Sequence, residues 1–292
     1  MLGEIRGEVR FKEPLAFHTS LRCGGPADIF IMPQDVDDVR KALVFADKEQ
    51  LPVIVLGGGN NVVVKDRGIR GVVIKLEGCL GRMEFHGEEV TVGGGAGLST
   101  VIREAAALGL GGMECLVGIP ATVGGALAMN AGSHDGAVGD FVSAVYFLHA
   151  DGTIGELKPS IGTFAYRTFT FPPGAILLGA RFTLHRKPQK EIQAEIRARL
   201  KQKKTTQPLA LASAGLVWWT PPADEAGRLI EKSGLKGKRI GGAEISAKHA
   251  NFIVNRGGAT AADFLALIEM AFERVLRQTG VKLTPEIRIL GE

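Results

Sequence analysis

Three glycine clusters constrain this chain more than any other feature of its sequence. Leu56-Gly57-Gly58-Gly59-Asn60-Asn61 follows the apolar run 53–56, and Gly93-Gly94-Gly95-Ala96-Gly97 follows the alternating run 90–92. The third is Gly118-Ile119-Pro120-Ala121-Thr122-Val123-Gly124-Gly125. Glycine supplies 40 of 292 residues, about twice its usual share, without a G-X-Y period. Glycines at a strand end let backbone N–H groups converge on an anion, because no Cβ blocks the approach and positive φ is open. Tight turns account for many such glycines. Three clusters in one chain also point to a bound cofactor carrying a pyrophosphate. None reads G-x-G-x-x-G, so that cofactor is expected outside the dinucleotide-fold fingerprint.

The rest of the composition excludes several classes. The 35 basic and 31 acidic residues leave a net charge of +4, too mild to mark a nucleic-acid binder and suited to an anionic small ligand. With 45% hydrophobic and 23% charged residues, the chain is ordinary globular protein, long enough for about two domains. Cys23, Cys79 and Cys115 form no C-x-x-C pair, so a reducing, cytoplasmic setting without disulfides is expected. No secretory h-region opens the chain and no run approaches ~18 apolar residues, so a secreted or membrane-spanning protein is not expected. The six histidines show no H-x-x-x-H spacing, and neither G-x-x-x-x-G-K-[ST] nor G-x-S-x-G occurs. A metal site, a Walker-type nucleotide hydrolase and a hydrolase elbow are all disfavoured.

A helix is expected from Asp35 through Val36, Val39, Leu43 and Ala46, stopping before Pro52 and followed by a buried strand at 53–56. Further β-like runs lie at 62–64, 72–74, 90–92, 142–148 and 175–184, with a helix at 100–108. The mixture reads as α+β. Past Leu184 the chain turns basic, and Ile192, Ile196 and Leu200 form one stripe at i, i+4, i+8. That is a basic amphipathic helix, either docked by its stripe with a solvated face or serving as an anion site. A last helix has Thr260 as N-cap, an apolar face of Phe264, Leu267, Ile268, Ala271, Phe272 and Val275, and Gly280 as its stop.

Longer stretches make the sequence recognisable. PLAFHTSLRCGGPAD (14–28), VLGGGNNVVVKDRGIRGVVI (55–74), GLGGMECLVGIPATVGGALAMNAGSHDG (109–136), AYRTF (165–169), KKTTQP (203–208), IGGAEISAKHANFIVN (240–255) and LTPEIRILG (283–291) follow in order along essentially the whole chain. This set resembles the UDP-N-acetylenolpyruvoylglucosamine reductases, flavoproteins of peptidoglycan precursor synthesis, in their shorter second type. The resemblance implies a two-lobed FAD-binding domain of the vanillyl-alcohol-oxidase type, with lobes at 1–76 and 77–188. A C-terminal α+β substrate-binding domain follows at 189–281, and 282–292 returns to the flavin side.

The resemblance also implies site residues. Leu56, Gly57, Gly58, Gly59, Asn60 and Asn61, with Gly118, Ile119, Pro120, Ala121, Thr122, Gly124 and Gly125, would line the FAD pyrophosphate. Gly95, Asn130, Ala131, Gly132 and Ser133 would lie along the cofactor. The reaction implied is reduction of the enolpyruvyl ether of UDP-N-acetylglucosamine to the lactyl ether, with NADPH reducing FAD first. Carbanion character then arises beside the substrate carboxylate and must be stabilised and protonated. Arg167 would pair with that carboxylate through its planar fork. Glu286 would hydrogen-bond the same enolate, which asks for a protonated or proton-sharing carboxyl in a dry site. Tyr166, Lys204, Gln207, Thr220, Lys236, His249 and Asn251 would contact the UDP-sugar. A small-molecule substrate, no nucleic-acid or membrane partner, and a monomer are expected.

The chain departs from the family at the third catalytic group. Where the family reads Ser-Ala-Gly-Ser, a variable residue, Phe, Lys or Arg, Asn and Pro, this chain has Ser213-Ala214-Gly215-Leu216-Val217-Trp218-Trp219-Thr220-Pro221. Leu216 stands where the proton-donor serine is expected. Leucine has no transferable proton, and loss of a general acid costs ~10²–10⁴ in rate. Either the reductase is altered at this step, or 216–220 is a local sequence error, the reading that the intact flanking motif favours. Two other functions compete with the reductase: an FAD-linked oxidase of the same cofactor fold, and a catalytically impaired UDP-sugar-binding flavoprotein.

Overall fold

The computed structural model describes residues 2–76, 78–221 and 224–292, with Gly78 and Cys79 described by their backbone alone. Residue 77, where the second flavin lobe was expected to begin, and the Cys79 side chain lie outside what is described. The chain forms two compact units that alternate along the sequence. Unit 1 takes Met1–Arg10, Phe30–Gly58 and Val72–Gln202; unit 2 takes Phe11–Ile29, Gly59–Gly71 and Lys203–Glu292.

Unit 1 is built around a five-stranded antiparallel sheet in the order Ile154–Leu157, Val142–Leu148, Ile176–Thr183, Glu89–Gly93, Met83–His86. Helices α2 (Leu98–Ala107) and α3 (Val123–Ala128) supply Leu98, Val101, Ile102, Val123, Ala126 and Leu127 to the core that this sheet shares with Val90, Val92, Val145 and Phe182. Naming helices in chain order, α1 (Val36–Lys48) precedes these and begins at Asp35, whose carboxylate accepts from the Asp38 N–H as an N-cap. The strand Val53–Leu56 then runs parallel to 72–75, in the register Val53 to Val72.

The basic helix forms as α4 (Gln189–Thr206), but its apolar stripe is only partly used. Ile192 is fully buried, Ile196 packs against the unit 1 core, and Leu200 is 41% exposed. The basic residues nearest the unit are engaged in ion pairs. Lys187 Nζ donates to the buried Glu114 at 2.9 Å and to Glu195 at 2.7 Å, and Arg199 bridges Glu195 and Asp135. These contacts favour the docked reading of this segment over a dedicated anion site.

Unit 2 carries a four-stranded antiparallel sheet in the order Ala212–Ser213, Ile253–Asn255, Ala243–Ile245, Arg239–Ile240. Helices α5 (Ala226–Lys232) and α6 (Ala261–Thr279) pack with it into one core of Leu229, Ile230, Phe264, Leu267, Ala271 and Val275. The local signals in α6 act as read: Thr260 and Asp263 form a capping box, and Gly280 ends the helix at φ 72°. The chain's last strand, Arg288–Leu290, runs parallel to Val62–Val64, directly after Asn61.

Candidate active site

In unit 1 the three glycine clusters meet. The Val123 N–H donates to Ala96 O and the Gly124 N–H to Gly94 O, both at 2.8 Å. A Cβ placed on Gly57 would lie 2.5 Å from Thr122 Oγ1 and 3.7 Å from Gly125 N, so the turn after Val53–Leu56 adjoins the start of α3 and has no room for a side chain. Thr122 is the N-cap of that helix, its hydroxyl accepting from Gly125 N at 3.2 Å. The clusters divide the work. Gly94 and Gly95 donate to Leu178 O and Leu80 O, so their amides serve the fold. The N–H groups of Gly57, Gly58 and Ala121 meet no acceptor among the described residues. Backbone donors left over at glycine-rich turns are the chemistry a diphosphate requires.

Next to this cradle, Asn130 organises a second element. It is buried at φ 39°, a conformation asparagine tolerates better than most residues. Its Nδ2 donates to Ala165 O at 2.8 Å and its Oδ1 accepts from Gly139 N at 2.9 Å. Ala165 belongs to a short hairpin, Phe164–Ala165 with Thr168–Phe169, whose two-residue turn is Tyr166-Arg167. Arg167 sits at φ 54° and donates to Gly132 O at 3.0 Å, while its guanidinium lies 5.5 Å from the Tyr166 ring centroid. Tyr166 itself is exposed. Just past this segment, the Asp135 N–H donates to Ser133 Oγ at 3.4 Å, and the Arg199 guanidinium keeps the Asp135 carboxylate below its ordinary range.

In unit 2 the segments of Leu216 and Glu286 lie side by side. The Glu286 N–H donates to Val217 O at 2.7 Å, the Trp219 N–H to Thr284 O at 3.0 Å, and Trp218 bridges Pro285. Asn61 Nδ2 donates to Glu286 O at 3.3 Å, and the Arg288 N–H donates to Asn61 O at 2.9 Å. Leu216 and Glu286 are half-buried, whereas Val217 and Trp218 are core residues at 2% and 1% exposure. The middle of the stretch that breaks the family pattern is therefore seated in a packed core, with Trp218 filling it. Ser20 Oγ donates to Ser213 O at 2.7 Å and lies 3.2 Å from Gly59 O.

Comparison with known proteins decides the family. A family model described as UDP-N-acetylenolpyruvoylglucosamine reductase, C-terminal domain, matches residues 207–290, and an FAD binding domain model matches residues 27–158. The reductase of that name from Geobacter metallireducens is 44% identical over 290 residues, 99% of this chain and 96% of that protein. The Bacillus velezensis reductase is 42% identical, covering 98% of this chain and 95% of that one. The crystal structure of the Thermus caldophilus enzyme superposes with a TM-score of 0.85 at 36% identity, over 98% of this chain and 100% of that one. The chain belongs to the UDP-N-acetylenolpyruvoylglucosamine reductase family. It is an FAD-dependent oxidoreductase of peptidoglycan precursor synthesis.

Seen as a reductase of this family, the chain has residues in unit 1 that fit a bound FAD: Gly57, where a Cβ could not be housed, and the amides of Gly57, Gly58 and Ala121, which meet no acceptor among the described residues. The other expected contacts are more scattered. Lys204 and Thr220 are exposed, and Lys236 pairs with Glu231 at 3.0 Å. Gln207 is half-buried just beyond α4. His249 packs edge-on against Phe252 and accepts the Asn251 N–H on Nδ1 at 3.3 Å; burial pushes its pKa down, so it is neutral. Asn251 is buried and its amide is bound to the backbone of Val217 and Trp218. Cys23 and Cys115 are buried thiols, Cys23 pushed up by burial to about 12, and neither is in thiolate form.

Proposed function

We propose that this chain reduces the enolpyruvyl ether of UDP-N-acetylglucosamine through the residue roles set out here. The observation that carries the reading is the meeting of the three glycine clusters at Thr122–Gly125, beside the Asn130-held hairpin that presents Arg167. FAD, reduced by NADPH, supplies the hydride when bound. Gly57, Gly58 and Ala121 bind its diphosphate through their N–H groups. Arg167 pairs with the substrate carboxylate and disperses the charge that develops beside it. Glu286 holds the enolate oxygen by a hydrogen bond, in a position set by its own N–H on Val217 O. Lys204, Gln207, Thr220, Lys236 and His249 bind the UDP-sugar. Residues 1–76 and 77–188 act as the two flavin lobes and 189–281 as the substrate domain. The enzyme works in the cytoplasm, as a monomer and without nucleic acid; among the described residues no helix is long and apolar enough to cross a membrane.

Leu216 supports a second reading of the same site: an intact flavin half-reaction coupled to a slow or absent protonation step, which would make the chain a UDP-sugar-binding flavoprotein of low turnover. One experiment separates the two. The intact mass of the purified chain is checked first, and its flavin absorbance is then followed anaerobically on adding NADPH and afterwards the enolpyruvyl substrate. Bleaching with prompt recovery is the outcome for a working reductase. Bleaching that persists marks a failed second half-reaction. Oxygen uptake with an alcohol or hydroxy acid in place of NADPH would instead make it an oxidase.

A further inference from the structure

Asn251 is 4% exposed, and its polar atoms surround a single dipeptide. Oδ1 accepts from the N–H of Val217 at 3.1 Å and of Trp218 at 2.9 Å, while Nδ2 donates to Trp218 O at 3.0 Å. Its main-chain oxygen takes the Val217 N–H as well, at 2.9 Å. The residue immediately before this dipeptide is Leu216, at the proton-donor position. Val217 O receives the Glu286 N–H at 2.7 Å, so the clamp reaches the second catalytic segment through one shared peptide. An amide engaged on both oxygen and nitrogen, in the core, has little capacity left for a ligand.

We propose that Asn251 is a positioning residue, not a substrate ligand, and that it sets residue 216 and Glu286 against one another for the enolate-protonation half of the reaction. The inference rests on the reductase reading above. Removal of the amide leaves the Trp218 N–H and C=O without partners and frees the 216–218 segment to shift. Misplacement of this kind by about 1 Å costs on the order of 10²-fold in rate.

The test uses the full-length flavoprotein and the variants Asn251→Ala and Asn251→Asp, with three readouts. The chain's only two tryptophans, Trp218 and Trp219, are in or beside the clamp, so tryptophan emission reports it without turnover. Asn251→Ala is expected to shift that emission to the red and to slow anaerobic flavin reoxidation by substrate by ~10–100-fold. Flavin reduction by NADPH and the affinity for the UDP-sugar should stay within about twofold. Asn251→Asp keeps the acceptor and recovers a donor only when protonated, so its reoxidation rate should climb toward the parent's as pH falls through the carboxyl's titration. Unchanged emission in Asn251→Ala overturns the clamp. Weakened UDP-sugar binding with normal reoxidation at saturation makes Asn251 a ligand, and equal loss in both half-reactions makes it merely structural. Failure of the reductase reading looks different: the parent chain and Leu216→Ser would both leave the flavin reduced by NADPH, whatever the emission of Asn251→Ala.

Discussion

Arg167 donates to the main-chain carbonyl of Gly132 at 3.0 Å, so the residue proposed to grip the substrate carboxylate is tied to the loop proposed to run along the flavin. Lysine at this position would offer a point charge in place of the planar fork and would lose the bidentate pairing with a carboxylate. Arg167→Lys should slow flavin reoxidation by substrate by ~10²-fold or more while NADPH still bleaches the flavin. Stopped-flow absorbance of the two half-reactions checks this, and equal slowing of both would remove Arg167 from the substrate side.

Leu216→Ser puts a hydroxyl back at the proton-donor position. Val217 and Trp218 are anchored by their main chain on Asn251, so the segment should hold its course. Substrate-driven reoxidation should rise by ~10²–10⁴-fold. No gain in single-turnover rate would mean that protonation takes another route.

Gly57→Ala places a methyl 2.5 Å from Thr122 Oγ1, at the capped start of α3. The turn must move or the cap must open. The expected result is a protein that folds but retains much less FAD, read as the ratio of flavin to protein absorbance after gel filtration.

Asp38 is fully buried and collects the N–H groups of Arg6, Gly7 and Gln34 at 3.2, 2.9 and 3.0 Å. Burial alone would push its carboxyl up, but these donors together hold it below the ordinary 3.8. Its stabilising contribution is therefore complete above that ordinary value and is lost as pH falls through the lower folded one. Asp38→Ala should cost about 3 kcal/mol at neutral pH by orphaning three donors. In urea melts the gap to the parent should narrow in strong acid.

His249 acts with the same sense of proton binding, in a higher pH window. Burial lowers its pKa from the ordinary 6.5, so below that value the unfolded chain takes the proton before the folded one does. Stability should fall as pH drops below 6.5 until the folded imidazole also titrates. His249→Gln should flatten the decline in melting temperature between about pH 7 and 5.

The sequence by itself determined what is local. The caps of α1 and α6 are set by Asp35, Thr260 and Asp263, and the stop at Gly280 by its left-handed backbone, all within one helical turn of the residues they serve. The glycine clusters were legible for the same reason: lack of a Cβ is a property of the residue. Ordered motifs carried the family and its chemistry. What no period or spacing could disclose is which glycines stay available. Gly95 and Gly57 look alike in the chain, yet one amide is bound to Leu80 O while the other, beside Thr122, meets no acceptor among the described residues. A buried and an exposed asparagine are the same letter, so the sequence could not show that the Asn251 amide bonds the Val217 backbone across 34 positions, nor that Asn61 meets Glu286 across 225. Hydrogen-bond partners at such separations are chosen by the packing of the unit 2 core around Trp218, and that choice exists only once the chain has folded.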